Sequence, residues 1–154
     1  MNSATLLLDD LFASCLARYA RILPGGIELP HHGKTLRSLP AQIRTWRPAR
    51  TLYQNKLPQC RSLNAIHSIT QDRACITCPM RKRCTPQIYI ELLYDHIPYR
   101  LLLAYTSARN FLTFNAQLRR KDLALDTTPV LLSVRDRGRW GELCFSCAQP
   151  QPPA

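Results

Sequence analysis

Acidic side chains are scarce in this sequence, ten Asp and Glu against 21 Lys and Arg in 154 residues, for a formal net charge of +11. The ten are scattered, so an acid-rich catalytic cleft is poorly supported, and so strong a basic excess points to a polyanionic partner. Glycine is sparse too, with five in all, and none falls in a dinucleotide-binding or P-loop pattern. There is no G-x-S-x-G, no H-E-x-x-H and no deaminase-type H-x-E with P-C-x-x-C. No apolar run is long enough and clean enough for a membrane: residues 3–23 are interrupted by Asp9 and Asp10 and closed by Arg18 and Arg21. These absences predict a protein that is not an enzyme, has no membrane partner and resides in the cytoplasm.

What is present reads as one globular domain spanning 1–154, with 45 % apolar and 20 % charged residues. Over 1–24, Leu8, Leu11, Phe12, Cys15, Leu16, Tyr19 and Ile22 recur at helical spacing, which predicts an amphipathic helix stopped by Pro24-Gly25-Gly26. Residues 34–84 hold eleven cations and one acid, Asp72, while the remainder of the chain is almost neutral. One strand is expected within 43–54, where Pro48 would confine it to an edge or a bulge.

Over 87–147 the pattern is β-β-α-β-β. QIYIELLY (87–94) and YRLLLAY (99–105) read as strands joined by a slightly long turn, Asp95 to Pro98. Thr106-Ser107 can cap a helix ending at Arg119-Arg120-Lys121, and 129–136 and 139–146 form a second hairpin across Arg137-Gly138. The Pro-rich end, 148–154, is expected to be a flexible tail. The fold class predicted is α+β: a small OB-like barrel or sheet, β-loop-β-β-α-β-β, with an N-terminal helix and an inserted four-cysteine metal loop over 60–84. A split β-α-β-β sandwich would give a similar string.

Cys60, Cys75, Cys78 and Cys84 make C-x14-C-x2-C-x5-C. In a reducing compartment such cysteines are ligands more often than disulfides. The Cys75/Cys78 pair can form a knuckle aimed at one ion, with Cys60 and Cys84 closing the tetrahedron. Four thiolates suit structural Zn²⁺ or a 4Fe-4S cluster, and the ion would supply the core that this segment lacks. Cys144 and Cys147 are also C-x2-C, but three residues apart on a strand they face opposite ways.

CITCPMRKRC resembles the C-x2-C-P-x4-C end of the iron–sulfur loop in endonuclease III-like glycosylases and in RecB-like nucleases. The glycosylases space their first cysteine pair more tightly. The nucleases' acid-x-Lys pair has no counterpart here. A wider resemblance runs over 46–145, through Trp46-x-Pro48-Ala49-Arg50, Cys60-Arg61-Ser62, Cys75-x2-Cys78-Pro79, Cys84, Trp140 and Phe145. It is to small cysteine-containing proteins carried by phages and mobile elements beside replication and recombination genes. That resemblance implies single-stranded DNA binding on an OB-like fold.

Arg44, Trp46, Arg47, Arg50, Tyr53, Lys56 and Arg61 interleave cations with rings just before the cysteine loop, the mixture by which single strands are held. Arg81, Lys82 and Arg83 lie inside the loop, where a metal would hold their charges rigid and exposed. The expected partner is single-stranded DNA, or RNA. The alternative is a protein-interaction subunit of a larger replication, recombination or defence complex, and an iron–sulfur enzyme fragment is a third reading.

Overall fold

The computed structural model describes residues 19–30 and 32–148. The predicted helix positions before Tyr19, His31 and the tail from residue 149 lie outside the described residues. Three short strands, β1 (Arg21–Leu23), β2 (Gly26–Glu28) and β3 (Thr35–Leu36), form a small antiparallel sheet. The end of the predicted 1–24 helix is therefore a strand, because Pro24-Gly25 turns the chain into β2 and Ile22 pairs with Ile27.

The main sheet is built around β4 (Ser38–Gln54), with β5 (Leu57–Ser62), β6 (Thr85–Tyr94), β7 (Ile97–Leu103), β8 (Val130–Asp136) and β9 (Gly141–Cys147). Its order is β7-β6-β4-β8-β9, with β5 paired to β4, all antiparallel. β7 and β9 exchange no ladder, so the sheet is not closed. The helix α1 (Tyr105–Arg120) connects β7 to β8 and packs mainly on β9.

β4 is long because its 17 residues serve three partners in turn. Residues 38–41 pair with β8, 42–51 with β6 and 50–54 with β5. Pro48 lies between the β8 and β5 stretches, where β6 alone is paired, so its missing N–H interrupts no second ladder. The register slips between Ile43 and Thr45, inserting Arg44 as an extra residue. Leu39, Ala41 and Ile43 face the core before that slip, and Trp46 packs on the core after it.

β5 was not expected as a strand, and its last three residues, 60–62, fall inside the predicted 60–84 loop. Asn55 and Lys56 both take positive φ, 51° and 64°, the two-residue turn whose twist suits a hairpin. Asp95 and His96 do the same at 51° and 61°, so the β6–β7 turn is two residues and shorter than predicted. The helix starts one residue before the predicted Thr106-Ser107 cap. Ala104 is the N-cap, and its methyl side chain can accept no bond; Ser107 Oγ accepts the Leu143 N–H at 2.9 Å.

The core joins both hairpins to the helix: Ile43, Ile90, Leu101, Leu103, Phe111, Val130, Leu132 and Leu143 are at most 1 % exposed. Burying such side chains supplies the main driving force for the fold. The open side between β7 and β9 meets the start of the described chain. Tyr19 bridges to Arg100 on β7, and the Ala20 N–H donates to the Arg100 carbonyl at 2.9 Å. β1 then runs beside β9, where Gly141 approaches the Leu23 carbonyl so closely that a Cβ would collide with it.

Candidate metal centre and cationic surface

The lobe between β5 and β6 is organised by its own polar side chains. Asn64 Oδ1 accepts the N–H groups of Ile66 and His67 at 2.8 and 2.9 Å, and the Ser62 hydroxyl at 3.1 Å. Ser68 Oγ accepts from Thr70 and Gln71 N–H at 3.1 and 3.0 Å. These are the local bonds by which Asn and Ser hold irregular chain. A short ladder follows, with His67 bridged to Ala74, the Ser68 N–H on the Arg73 carbonyl and the Cys75 N–H on the Ile66 carbonyl.

Cys60 lies on β5, and Cys75, Cys78 and Cys84 follow in the lobe and at its return to β6. Cys60 pairs across from Leu52 on β4, and Cys84 immediately precedes β6, which flanks the other edge of β4. Cys60 Sγ lies 3.0 Å from Ser68 Oγ. The Cys78 N–H returns to the Cys75 carbonyl, Arg81 N–H to Cys78, and Cys84 N–H to Arg81, which winds 78–84 into a tight turn. As it stands, no group of three or more His, Cys, Asp or Glu among the described residues is close enough to hold an ion. Burial pushes the Cys84 thiol up, charge on Cys60, Cys78 and Cys75 adds to that, and Arg50 opposes it.

Cys78 is affected in the other direction. The Met80 backbone N–H above all, then the Arg73 guanidinium and the Arg81 N–H, hold its thiol below the usual value against an opposing push from burial. Amide and guanidinium donors aimed at sulfur favour the thiolate, which is the form that binds metal. Of the four thiols only Cys78 is biased this way, and Cys84 is pushed the other way. Arg73 was not among the predicted site residues. Its only signal in the sequence is that it precedes Cys75 by two positions in the basic block. Cys144 and Cys147 lie on β9, with Cys144 beside Asn110, and are not part of this lobe.

The predicted cations divide into three settings. Arg44, Lys56, Arg81, Lys82 and Arg83 are exposed: Arg44 at the bulge, Lys56 in the β4–β5 turn, the last three in a single turn of 3₁₀ helix. Arg47 is exposed with its guanidinium over the Tyr89 ring, 4.9 Å from the centroid. Arg50 and Arg61 are half-buried, and the Nε of each is cut off from water with no hydrogen-bond partner. Among the described residues none of these eight has a carboxylate partner, the ion pairs there being those of Arg21, His67, Arg100, Arg135 and Arg137.

The two predicted rings also part company. Trp46 is half-buried and packs edge-on against Phe111 of the core, whereas Tyr53 is 41 % exposed and accepts the Gln87 amide at 3.3 Å. On the last hairpin, Glu142 is buried and tied to Asn110 at 2.9 Å and to Arg137 at 2.6 Å, so Arg135 and Arg137 are committed to it. No helix among the described residues is long and apolar enough to cross a membrane. No family model, no curated protein and no solved structure matches this chain.

Proposed function

We propose that this protein binds single-stranded nucleic acid, DNA before RNA, through a cationic lobe stiffened by Zn²⁺ on Cys60, Cys75, Cys78 and Cys84. The observation that carries the reading is that eight predicted cations lack any carboxylate partner among the described residues. A solvated surface ordinarily mixes signs, as the Arg135–Glu142–Arg137 group does here. Phosphates spaced along a strand would meet Lys56 and Arg81–Arg83, and a base would stack on Tyr53.

The strand order supports an OB-like frame for this lobe. An OB-type barrel also runs strand, strand, strand, helix, strand, strand, and is often partly open. In that comparison β4, β6, β7, β8 and β9 are the five strands, and the cysteine lobe is the connection between the first two.

A second reading, a docking subunit of a larger complex, is favoured by one feature. Leu57, Ile66, Ile69 and Ile76 are each more than 60 % exposed on or beside the same lobe. Fluorescence anisotropy with a labelled single-stranded oligonucleotide separates the two. The variant to use is Lys56→Glu, Arg81→Glu, Lys82→Glu and Arg83→Glu together, since these side chains are exposed and Arg50 is not. Binding that weakens steeply with salt and is lost in the variant supports the first reading. Binding that is absent, or unchanged in the variant, overturns it.

A further inference from the structure

After the slip at Arg44, β4 alternates its side chains between two faces, and Trp46 marks the one turned to the core. Arg47, Ala49, Thr51 and Tyr53 therefore share the other face. Contacts to β6 bear this out at both ends. The Arg47 guanidinium lies over the Tyr89 ring. The Thr51 hydroxyl donates to Gln87 Oε1 at 2.6 Å, and Gln87 Nε2 donates to the Tyr53 hydroxyl at 3.3 Å. Ala49 and Thr51 are buried, whereas Arg47 and Tyr53 are exposed. Two flat groups thus stand on one face of one strand, six positions apart, or about 20 Å.

The ring beneath Arg47 is fixed. Tyr89 is fully buried, and its hydroxyl donates to Glu91 at 2.7 Å. Two cations share that ring, and they differ in one respect. Arg100, 5.9 Å from the centroid, pairs with Glu91 at 3.8 Å. Arg47, at 4.9 Å, has no carboxylate partner among the described residues. A guanidinium is planar and weakly hydrated, so one laid on a tyrosine and still exposed offers its other side to a second π system. Its free charge calls for an anion and its free plane for a flat group. A nucleic-acid strand carries both, whereas an inorganic anion offers only the first.

We propose that Arg47 is a base-stacking platform: a bound single strand follows this face of β4, with one base on Tyr53 and another on the Arg47 guanidinium above Tyr89. The inference rests on the nucleic-acid reading above and adds a contact that charge alone does not describe. A phosphate is served by Lys as a point charge, but a stacked base needs the plane.

Fluorescence anisotropy on the full chain tests it, with a labelled thymidine oligomer of about twelve nucleotides and an abasic strand of the same length. Arg47→Lys keeps the charge and lacks the plane, and the exposed position spares the core. It should weaken the base-bearing strand about tenfold and leave both the abasic strand and the salt dependence unchanged. Arg47→Lys with Tyr53→Leu should remove most of the preference for the base-bearing strand. Equal affinity of wild type and Arg47→Lys, or an equal loss with the abasic strand, overturns the proposal. If charge reversal at Lys56, Arg81, Lys82 and Arg83 abolishes binding while Arg47→Lys does not alter it, the lobe reading stands and this site falls. If only Arg47→Lys weakens binding, the site stands and the lobe's part falls. A protein that binds neither strand removes both.

Discussion

Trp46 meets Phe111 edge to face, with 5.4 Å between ring centroids, and Phe111 meets Phe145 the same way at the same distance. The ring that the sequence offers for stacking is thus a strut between sheet and helix. Trp46→Ala should cost about 3–5 kcal/mol in urea unfolding, as truncating a core aromatic does. Tyr53→Ala should cost less than about 1 kcal/mol and weaken oligonucleotide binding by about tenfold in anisotropy titrations. Equal stability losses in the two variants would contradict the assignment.

The cysteine lobe and the core are separable. None of Cys60, Cys75, Cys78 and Cys84 is part of the main hydrophobic cluster. Metal analysis of purified protein should give one zinc per chain in a colourless preparation. Chelation, or Cys60→Ser with Cys84→Ser, should abolish hydrogen-exchange protection over 57–84 while amides of β6 and β7 stay protected. A brown protein would instead identify an iron–sulfur cluster, and a metal-free protein with a protected lobe would remove the metal from the account.

Glu142 is held below the ordinary carboxylate range, chiefly by the Asn110 side-chain hydrogen bond and then by Arg137, with Arg135 adding its charge. A carboxyl depressed in the folded state contributes stability above its unfolded value and loses it as pH falls through the folded one. Glu142→Gln should therefore melt below the wild type at pH 7, and the two curves should converge at the acid end of that window. A difference that stays constant with pH would mean that packing, and not charge, makes Glu142 matter.

Tyr89 lies at the other extreme. It is fully buried, and burial, reinforced by its hydrogen bond to Glu91 at 2.7 Å, pushes its phenol well above the ordinary 10.0. A group whose value rises on folding contributes stability that is lost as pH climbs past the unfolded value. Tyr89 is expected to resist ionisation at 295 nm until alkaline unfolding. Tyr89→Phe should shrink the late step by one tyrosine.

Gly141 admits the Leu23 carbonyl where a Cβ would stand. Gly141→Ala should displace β1 from β9 and raise exchange of β1 and β2 amides, with little change in the β6–β7 hairpin. Unchanged exchange in β1 would show that the contact bears no weight.

The parts legible in the chain were those set by near neighbours. Apolar runs over 87–94 and 129–136 marked strands that are present, and helical spacing with terminal cations marked α1. Local chemistry also misled where tertiary contacts outweighed it. Thr106-Ser107 has good capping residues, yet Ser107 accepts a bond from β9, and Ala104 takes the cap position. β5 was hidden because Leu57–Ser62 lacks clear alternation and is a strand only by pairing with β4.

From its residues alone, this chain commits to a large positive charge concentrated in 34–84, four closely spaced thiols and two hairpins around one helix, because those follow from composition and short-range period. Which cations stand free, which ring packs on the core, and that Arg47 lies over the Tyr89 ring were settled by folding. The register slip at Arg44 and the three strands that pair in turn with β4 are the physical reason. Together they reassign which face each side chain takes and bring together residues 40 or more positions apart.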